Sequence, residues 1–290
     1  MPRFLYLLLA AIGLAPAVNA QPPKGEVRVM SFNIRYGTAK DGENHWDKRK
    51  EFLADTVKAF GPDLLGTQET LIFQRDFLSQ KLTGYEGLGV GREDGKEKGE
   101  TTALYWRKAR FEKTDGGHFW LSETPNVAGS KSWDSSLPRM ATWVKLKDLA
   151  KPDAKPVLFV NTHFDHIGKK ARIEGAKLIR DRIGALGAGC SVVVTGDFNS
   201  GEDSEPYRAL FAARDKNESP VVDSFRAAHP KREPNEGTFT DFKAGPVKGD
   251  RIDWIGVSRD WTVIGAEIDR TEKAGRTPSD HFPVTATLSR

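Results

Sequence analysis

Two oxygen-bearing side chains, those of Asp197 and Asn199, follow the apolar segment Val192–Thr195. They stand two residues apart in the sequence Gly-Asp-Phe-Asn. On an extended backbone, residues two apart point to the same side. A carboxylate and an amide that point together can hold a hard cation and orient a water molecule or a phosphate oxygen. Taken alone, the motif is equally compatible with an Asx turn that closes a strand.

Polar residues adjoin apolar runs at several other places in the chain. The motifs are Ser31–Arg35, Gly66–Thr70, Asn161–His166, Arg251–Ile255 and Ser279–Pro283. One such motif is common in any protein. Because the same arrangement of polar residues beside an apolar run recurs along the chain, the motifs favour one shared site over a set of unrelated turns.

The elements that would position these motifs are visible in the hydrophobic pattern. Short β-branched runs predict buried strands at Val27–Ile34, Pro156–Asn161, Val192–Thr195, Ile252–Val257 and Val284–Leu288. Helical spacing predicts helices at Asp47–Phe60 and Lys170–Leu186. Because strands alternate with helices, the sequence predicts an α/β fold.

The segment Gly87–Trp143 has a different pattern, in which glycines, charged residues and short aromatic strands alternate. This pattern predicts antiparallel hairpins and surface loops. Within it, the run Gly87–Gly99 predicts a solvated loop beside the site, since no strand-loop-helix context supports a phosphate cradle. No linker interrupts the apolar pattern, so we expect one domain over residues 21–290.

Residues 1–20 have the features of a secretory signal peptide. Arg3 precedes the apolar run Phe4–Leu14, and Val18-Asn19-Ala20 supplies a small-residue cleavage site. The run is shorter than the roughly 20 residues that a membrane helix needs. We therefore expect an exported protein, periplasmic or secreted, with no transmembrane segment after cleavage.

The charge balance bears on the class of substrate. The chain has 44 Lys and Arg residues against 40 Asp and Glu residues, a formal net charge of +4, without a basic tail or block. A nucleic-acid substrate is therefore compatible with the sequence but not favoured by it. Cys190 is the single cysteine, which excludes an intramolecular disulfide.

Together these motifs resemble the endonuclease/exonuclease/phosphatase family, the deoxyribonuclease-I-like phosphoesterases. The resemblance runs from Val27 to Leu288 and is most specific at Gly196–Asn199 and Ser279–His281. It implies a four-layer sandwich in which two mixed β-sheets pack face to face and are flanked by helices. The block His118–Pro125, followed by Trp133, resembles a secreted bacterial-type branch of the family. Trp120 and Trp133 would either stack on a substrate ring or pack in the protein.

The resemblance also implies roles for individual residues. The residues implied at the metal are Asn33, Glu69 and Asp280, and the metal is Mg²⁺ or Mn²⁺. The residues implied in catalysis are His163, Asp197, Asn199, Asp253 and His281. Arg139 would reach the substrate phosphate, with a solvated surface position as the alternative.

Within that set, Asp197 would orient or deprotonate the attacking water, and Asn199 would bind the phosphate. His281 would contact the scissile phosphate and Asp253 would orient its ring. His163 would be a second phosphate-facing or acid residue, or else a strand-end histidine held by the backbone. The roles of Asp165 and His166 stay open.

These inferences predict an exported, divalent-metal-dependent phosphoesterase. Its substrate would be a phosphomonoester or phosphodiester of a small or lipid-linked molecule, hydrolysed by in-line attack of water. We expect a monomer. An extracellular nuclease is the alternative, and a non-catalytic binding protein on the same fold is a third hypothesis. The third is disfavoured because none of the expected acidic and histidine residues is missing.

Overall fold

The computed structural model describes residues 25–214 and 217–290. The predicted signal peptide, residues 1–20, lies outside these residues, as does the predicted cleavage site. None of the helices in the described part of the chain is long and apolar enough to cross a membrane.

The described residues form two six-stranded β-sheets. The first contains, in spatial order, β11 (Thr262–Ile268), β12 (Val284–Ser289), β1 (Val27–Asn33), β2 (Leu64–Thr70), β4 (Thr101–Arg107) and β3 (Tyr85–Leu88). The second contains β5 (Phe111–Trp120), β6 (Met140–Asp148), β7 (Val157–His163), β8 (Ser191–Asp197), β10 (Asp253–Val257) and β9 (Val222–Asp223). The antiparallel pair of β5 and β6 confirms the hairpin predicted within Gly87–Trp143.

Each sheet is mixed, because one central pair of strands is parallel. These pairs are β1 with β2 and β7 with β8, whereas the other paired strands run antiparallel. The helices are α1 (Trp46–Phe60), α2 (Ile72–Lys81), α3 (Lys169–Leu186), α4 (Glu205–Phe211) and α5 (Ser224–Ala228), with a 3₁₀ turn at Gly42–Asn44. A parallel pair needs a crossover connection, and α1 and α3 provide it. Both predicted helices are therefore confirmed to within one residue at their start.

Alternation of side chains along the central strands produces three hydrophobic cores. On β1, Val29 packs between the two sheets, whereas Met30 packs against α1 and α2. On β7, Phe159 packs between the sheets, whereas Leu158 packs against α3 and α4. Because residues next to each other in a strand face opposite sides, both sheets are covered on both faces. This confirms the four-layer sandwich.

The central strands extend into the polar motifs that follow their apolar runs. The strand β7 continues to His163, beyond the predicted end at Asn161, and β8 continues to Asp197, beyond Thr195. Backbone pairing persists there, since His163 lies opposite Asp197 and Asp197 lies opposite Asp253. Several of the predicted site residues are thus the last residues of paired strands, which fixes their spacing.

Candidate active site

Asp197 lies at the centre of a cluster that joins the ends of both sheets. Its side chain is buried, with one oxygen accepting from the Asn199 backbone N–H at 2.9 Å and the other from the Asn33 amide at 2.9 Å. The second oxygen also lies 3.5 Å from His163 Nε2 and 3.8 Å from His281 Nε2. Burial, reinforced by the charge of Asp253, raises the pKa of Asp197 to about 7.

Asn33 connects Asp197 to a second carboxylate, Glu69. The Asn33 amide nitrogen donates to Glu69 Oε1 at 3.1 Å, and the other Glu69 oxygen accepts from the Tyr36 backbone N–H at 3.1 Å. Glu69 has a left-handed backbone (φ 57°) at an irregularity in the pairing of β2 with β4. Such conformations are rare for residues other than glycine and cluster at functional sites.

Asp280, the third residue predicted at the metal, is buried and weakly paired. Its Oδ1 is 3.3 Å from Ser279 Oγ, and its Oδ2 is 3.5 Å from Arg35 Nε. Burial raises the pKa of Asp280, and the charge of Glu69 adds to this effect. The half-buried Glu69 carboxylate and the buried Asp280 carboxylate are hard oxygen donors of the kind that Mg²⁺ or Mn²⁺ prefers. The Asn33 amide oxygen, which also accepts from the Arg35 backbone N–H at 3.0 Å, adds a third oxygen, so these residues fit the predicted cation.

A second grouping of metal-compatible atoms lies next to this one. One ligand atom each from Asp197, Asp253 and His281 falls within 4.8 Å of the others. Asp253, however, accepts from His281 Nδ1 at 2.9 Å, which is the geometry of an orienting carboxylate. Asp253 is therefore engaged by His281, whereas Glu69 and Asp280 stay the carboxylates predicted at the cation.

The pair of Asp253 and His281 is almost completely removed from solvent. Burial alone would lower the pKa of His281, but the carboxylates of Asp253 and Asp197 outweigh it and raise that pKa well above its usual value. The ring of His281 is therefore an imidazolium at neutral pH. The exposed ring of Phe239 meets it edge to face, with 5.3 Å between the centroids.

His163 has the opposite electrostatic environment. Burial and the nearby guanidinium groups of Arg139 and Arg92 lower the pKa of His163 well below its usual value, so the ring is neutral. Its Nε2 lies 3.1 Å from the side-chain nitrogen of Asn199, which also donates to the Phe164 carbonyl at 3.0 Å. Asn199 has a left-handed backbone (φ 47°), which turns its amide back towards β7.

Arg139 is buried beside the cluster, so the alternative of a solvated surface arginine is wrong. Its Nη2 lies 3.0 Å from Nδ1 of the exposed His166, and its Nε lies 3.5 Å from Asp165. The structure also gives Asp165 a clear structural role. Its oxygens accept from backbone N–H groups at Ser136, Leu137, Ile167 and Gly168, which ties the loop before Arg139 to the start of α3.

Arg92 and Glu100 are site residues that the sequence did not reveal. Arg92 lies within Gly87–Gly99, the run predicted to be a solvated loop, and that prediction is wrong for Arg92, whereas Glu100 directly follows the run. Arg92 is 7% exposed and binds Glu100 through two hydrogen bonds of 2.6 and 2.9 Å. Glu100 Oε2 lies 3.8 Å from His163 Nδ1. The available signal was that Glu100 directly precedes the apolar strand β4, in the same way as other site residues adjoin their strands.

The two tryptophans differ in their environment. Trp120 is 5% exposed, and its indole N–H donates to the carbonyl of Arg92 at 2.6 Å, so it packs in the protein and fixes the position of Arg92. Trp133 is half-buried and has a left-handed backbone (φ 57°). Trp120 therefore supports the site from behind rather than forming a stacking wall over the substrate.

Comparison with known proteins agrees with this fold. The family model for the endonuclease/exonuclease/phosphatase family matches residues 30–281. A family member from Bacteroides thetaiotaomicron is 36% identical, with a TM-score of 0.83, over 91% of this chain and 97% of that one. A mannosyl-6-phosphatase from the same species is also 36% identical, with a TM-score of 0.82, over 91% of this chain and all (100%) of that one.

More distant structures share the fold alone. The catalytic domain of human Nocturnin, with a bound sulfate anion, is 20% identical, with a TM-score of 0.70, over 93% of this chain and 99% of that one. A search of curated protein sequences finds no match. The family model spans most of the chain, including the Gly196–Asn199 and Ser279–His281 motifs, and the chain therefore belongs to the endonuclease/exonuclease/phosphatase family of phosphoesterases.

Proposed function

We propose that this chain is a divalent-metal-dependent hydrolase of small phosphate esters, with phosphorylated sugars as its substrate class. The observation that carries the proposal is the cluster in which Asp197 lies within 4 Å of both His163 and His281. Support for the substrate class comes from the mannosyl-6-phosphatase, which is 36% identical over its whole length.

Glu69, Asp280 and Asn33 would hold the cation, Mg²⁺ or Mn²⁺. When bound, the cation would neutralise negative charge on the substrate phosphate and polarise the bond between phosphorus and the oxygen that contacts the cation. The remaining residues act on water and phosphate. Asp197 orients the attacking water, and its raised pKa of about 7 makes it a suitable proton acceptor near neutral pH.

The two histidines would have different roles because they have different charges. The imidazolium of His281 stabilises negative charge that gathers on the phosphate, and Asp253 maintains that charge. Neutral His163 and the amide of Asn199 offer a hydrogen-bond acceptor and donors without adding charge. The group that protonates the leaving alcohol is then His281, since it alone of the two histidines carries an extra proton.

A nuclease activity is the alternative, and the described surface offers little to favour it. In the loop Arg92–Glu100, beside the site, charged residues of both signs alternate instead of forming a basic groove. A non-catalytic binding protein is disfavoured because the predicted acidic and histidine residues are assembled in one cluster.

The test is hydrolysis by the purified protein with Mg²⁺ or Mn²⁺ added. Substrates would be mannose 6-phosphate, bis-p-nitrophenyl phosphate and plasmid DNA. We expect release of phosphate from the sugar and little cleavage of the plasmid. Asp197→Asn and His281→Ala should each lower turnover by about 100-fold or more, whereas Arg214→Gln, at a surface ion pair with Asp181, should not. Near-native turnover of both site variants would contradict the site assignment.

We also propose that the protein is exported and acts as a monomer in the periplasm or the medium. The support is the signal-like sequence of residues 1–20. Expression of the full chain in a bacterial host, followed by fractionation and N-terminal sequencing, tests this proposal. A mature protein that begins at Gln21 is the expected result, and a cytoplasmic protein with an intact N-terminus would refute export. Light scattering of the mature protein measures its mass and tests the monomer.

A further inference from the structure

Arg49 is a buried arginine in the first turn of α1, and its guanidinium connects several loops at the predicted metal position. All four of its hydrogen bonds within the described part of the chain go to backbone carbonyls. Nε donates to Asn44 at 2.8 Å, Nη1 donates to Ile34 at 2.9 Å and to Pro278 at 3.0 Å, and Nη2 donates to Arg35 at 3.2 Å. The guanidinium therefore holds main chain in place.

The carbonyls bound by this guanidinium belong to the chain segments that carry two of the predicted metal ligands. Ile34 directly follows Asn33, and Pro278 stands two residues before Asp280. A single nitrogen, Nη1, bonds to both carbonyls and so joins segments from opposite ends of the chain. The hydroxyl of Ser279 adds a second link, since it donates to the Asn33 carbonyl at 2.7 Å.

The third predicted ligand, Glu69, is tied to the same arrangement through the Arg35 carbonyl. That carbonyl also accepts from the side-chain amide of Gln74 at 2.9 Å, on the helix that follows the strand of Glu69. The next residue, Tyr36, donates its backbone N–H to Glu69 Oε2 at 3.1 Å. The conformation of this segment, which the guanidinium and the amide both hold, therefore helps to set where the Glu69 carboxylate lies.

The guanidinium of Arg49 is packed between aromatic side chains and stays charged. Its central carbon lies 5.4 Å from the ring centroid of Trp46 and 5.4 Å from that of Phe242. Burial lowers the pKa of Arg49 to about 10, and the charge of Asp280 opposes this effect, so the group is a cation at neutral pH. By its charge alone Arg49 would oppose a divalent cation bound nearby, whereas the geometry that it imposes would favour one.

We propose that Arg49 is a positioning residue for the metal site, whose guanidinium holds the segments of Asn33, Glu69 and Asp280 together before the cation binds. The proposal rests on the proposed function and adds to it a residue outside the set of ligands. Mg²⁺ tolerates little departure from its preferred geometry, and residues that orient metal ligands typically change metal affinity by about 10- to 100-fold. Lysine keeps the charge but lacks the rigid fork that reaches several carbonyls.

The test measures Mn²⁺ binding by calorimetry in the purified wild-type protein and in the variants Arg49→Gln and Arg49→Lys. Both variants should bind Mn²⁺ about tenfold more weakly or worse. An effect of charge alone would tighten binding in Arg49→Gln and leave it unchanged in Arg49→Lys. Arg180→Gln is the matched control, because Arg180 is also buried on a crossover helix and donates only to backbone carbonyls within the described residues, those of Ala209, Ala212 and Asn217.

The control should be less stable than the wild type but keep its Mn²⁺ affinity. Wild-type or tighter Mn²⁺ binding in a folded Arg49 variant would overturn the proposal, and so would an equal loss of affinity in Arg180→Gln. If Arg49→Gln fails to fold, the charge-conserving Arg49→Lys still decides. If the protein binds Mn²⁺ but hydrolyses no phosphate ester, the proposed function fails, while this binding comparison still decides the role of Arg49.

Discussion

Replacement of Asp253 by Asn removes one charge from the site and changes little else. Asp253 is fully buried, and its Oδ2 accepts from His281 Nδ1 at 2.9 Å. Asn has the same shape, and its carbonyl oxygen can still accept that hydrogen bond. The Asp253→Asn variant therefore tests the negative charge behind the imidazolium separately from the geometry of the ring.

The size of the effect follows from the burial of the pair. A hydrogen bond that involves a charged group contributes about 1.5–3 kcal/mol. If the imidazolium acts on the transition state, kcat/KM should fall by about 10- to 100-fold. The charge of Asp253 raises the pKa of both His281 and Asp197. Its removal lowers both pKa values, so both limbs of the pH profile should move to lower pH.

The assay is kcat/KM for mannose 6-phosphate, measured with saturating Mg²⁺ across the pH range in which the protein is stable. Asp63→Asn is the matched control, because Asp63 is also buried and paired, to Arg107 and Arg110 at 3.0 and 3.1 Å, at the start of β2. The Asp63→Asn variant should be less stable than the wild type, but the pH profile of its kcat/KM should not move. If Asp253→Asn kept the wild-type profile, the assignment of an imidazolium to His281 would be refuted.

Three further substitutions probe the metal, the loop and the interface between the sheets. Glu69→Gln should raise the Mg²⁺ concentration for half-maximal activity by about tenfold or more; an unchanged metal titration would place the cation elsewhere. Asp165→Ala should lower the free energy of unfolding by about 2–4 kcal/mol, because four backbone N–H groups lose their acceptor. Burial alone would raise the pKa of Asp165, but its hydrogen bonds outweigh burial and lower that pKa. The stabilisation from Asp165 is therefore present above about pH 4 and is lost as the pH falls towards the lowered pKa. Urea unfolding should show a smaller difference between variant and wild type at pH 3 than at pH 7. Gly66→Ala should destabilise by about 1–3 kcal/mol, since an added Cβ would lie 2.1 Å from Thr195 Oγ1 and 2.7 Å from Asn161 Oδ1; wild-type stability in urea would show that the sheets can separate there at no cost.

The sequence predicted the architecture well because its apolar runs have the period of buried strands. Each central strand alternates between the core shared by the two sheets and the core under the helices, so Val29 and Met30 are both buried. The polar residues after such runs identified the site, since strand pairing brings those ends together. The ends of two strands were misjudged, because the prediction stopped them at Asn161 and Thr195, although backbone pairing continues to His163 and Asp197.

The Arg92 and Glu100 pair was missed for a different physical reason. A run of charges with both signs is the usual pattern of a solvated loop, and most of Glu93–Gly99 is indeed exposed or half-buried. Arg92 and Glu100 stand at its two ends and neutralise each other, which allows Arg92 to be buried and Glu100 to be largely shielded from solvent. Sequence spacing alone does not show that two ends of a loop meet, and the buried hydrogen bond from Trp120 is equally invisible there.

The opposite charges of the two histidines arise from their neighbours rather than from their distance to the reaction centre. His163 Nε2 and His281 Nε2 lie at similar distances, 3.5 and 3.8 Å, from the same oxygen of Asp197. Behind His281 stands the carboxylate of Asp253, at hydrogen-bond distance. The far side of His163 faces the guanidinium groups of Arg92 and Arg139, and the Glu100 carboxylate there is 3.8 Å from its Nδ1. One ring is therefore held protonated and the other neutral over the same pH range, which is the difference that acid–base catalysis requires.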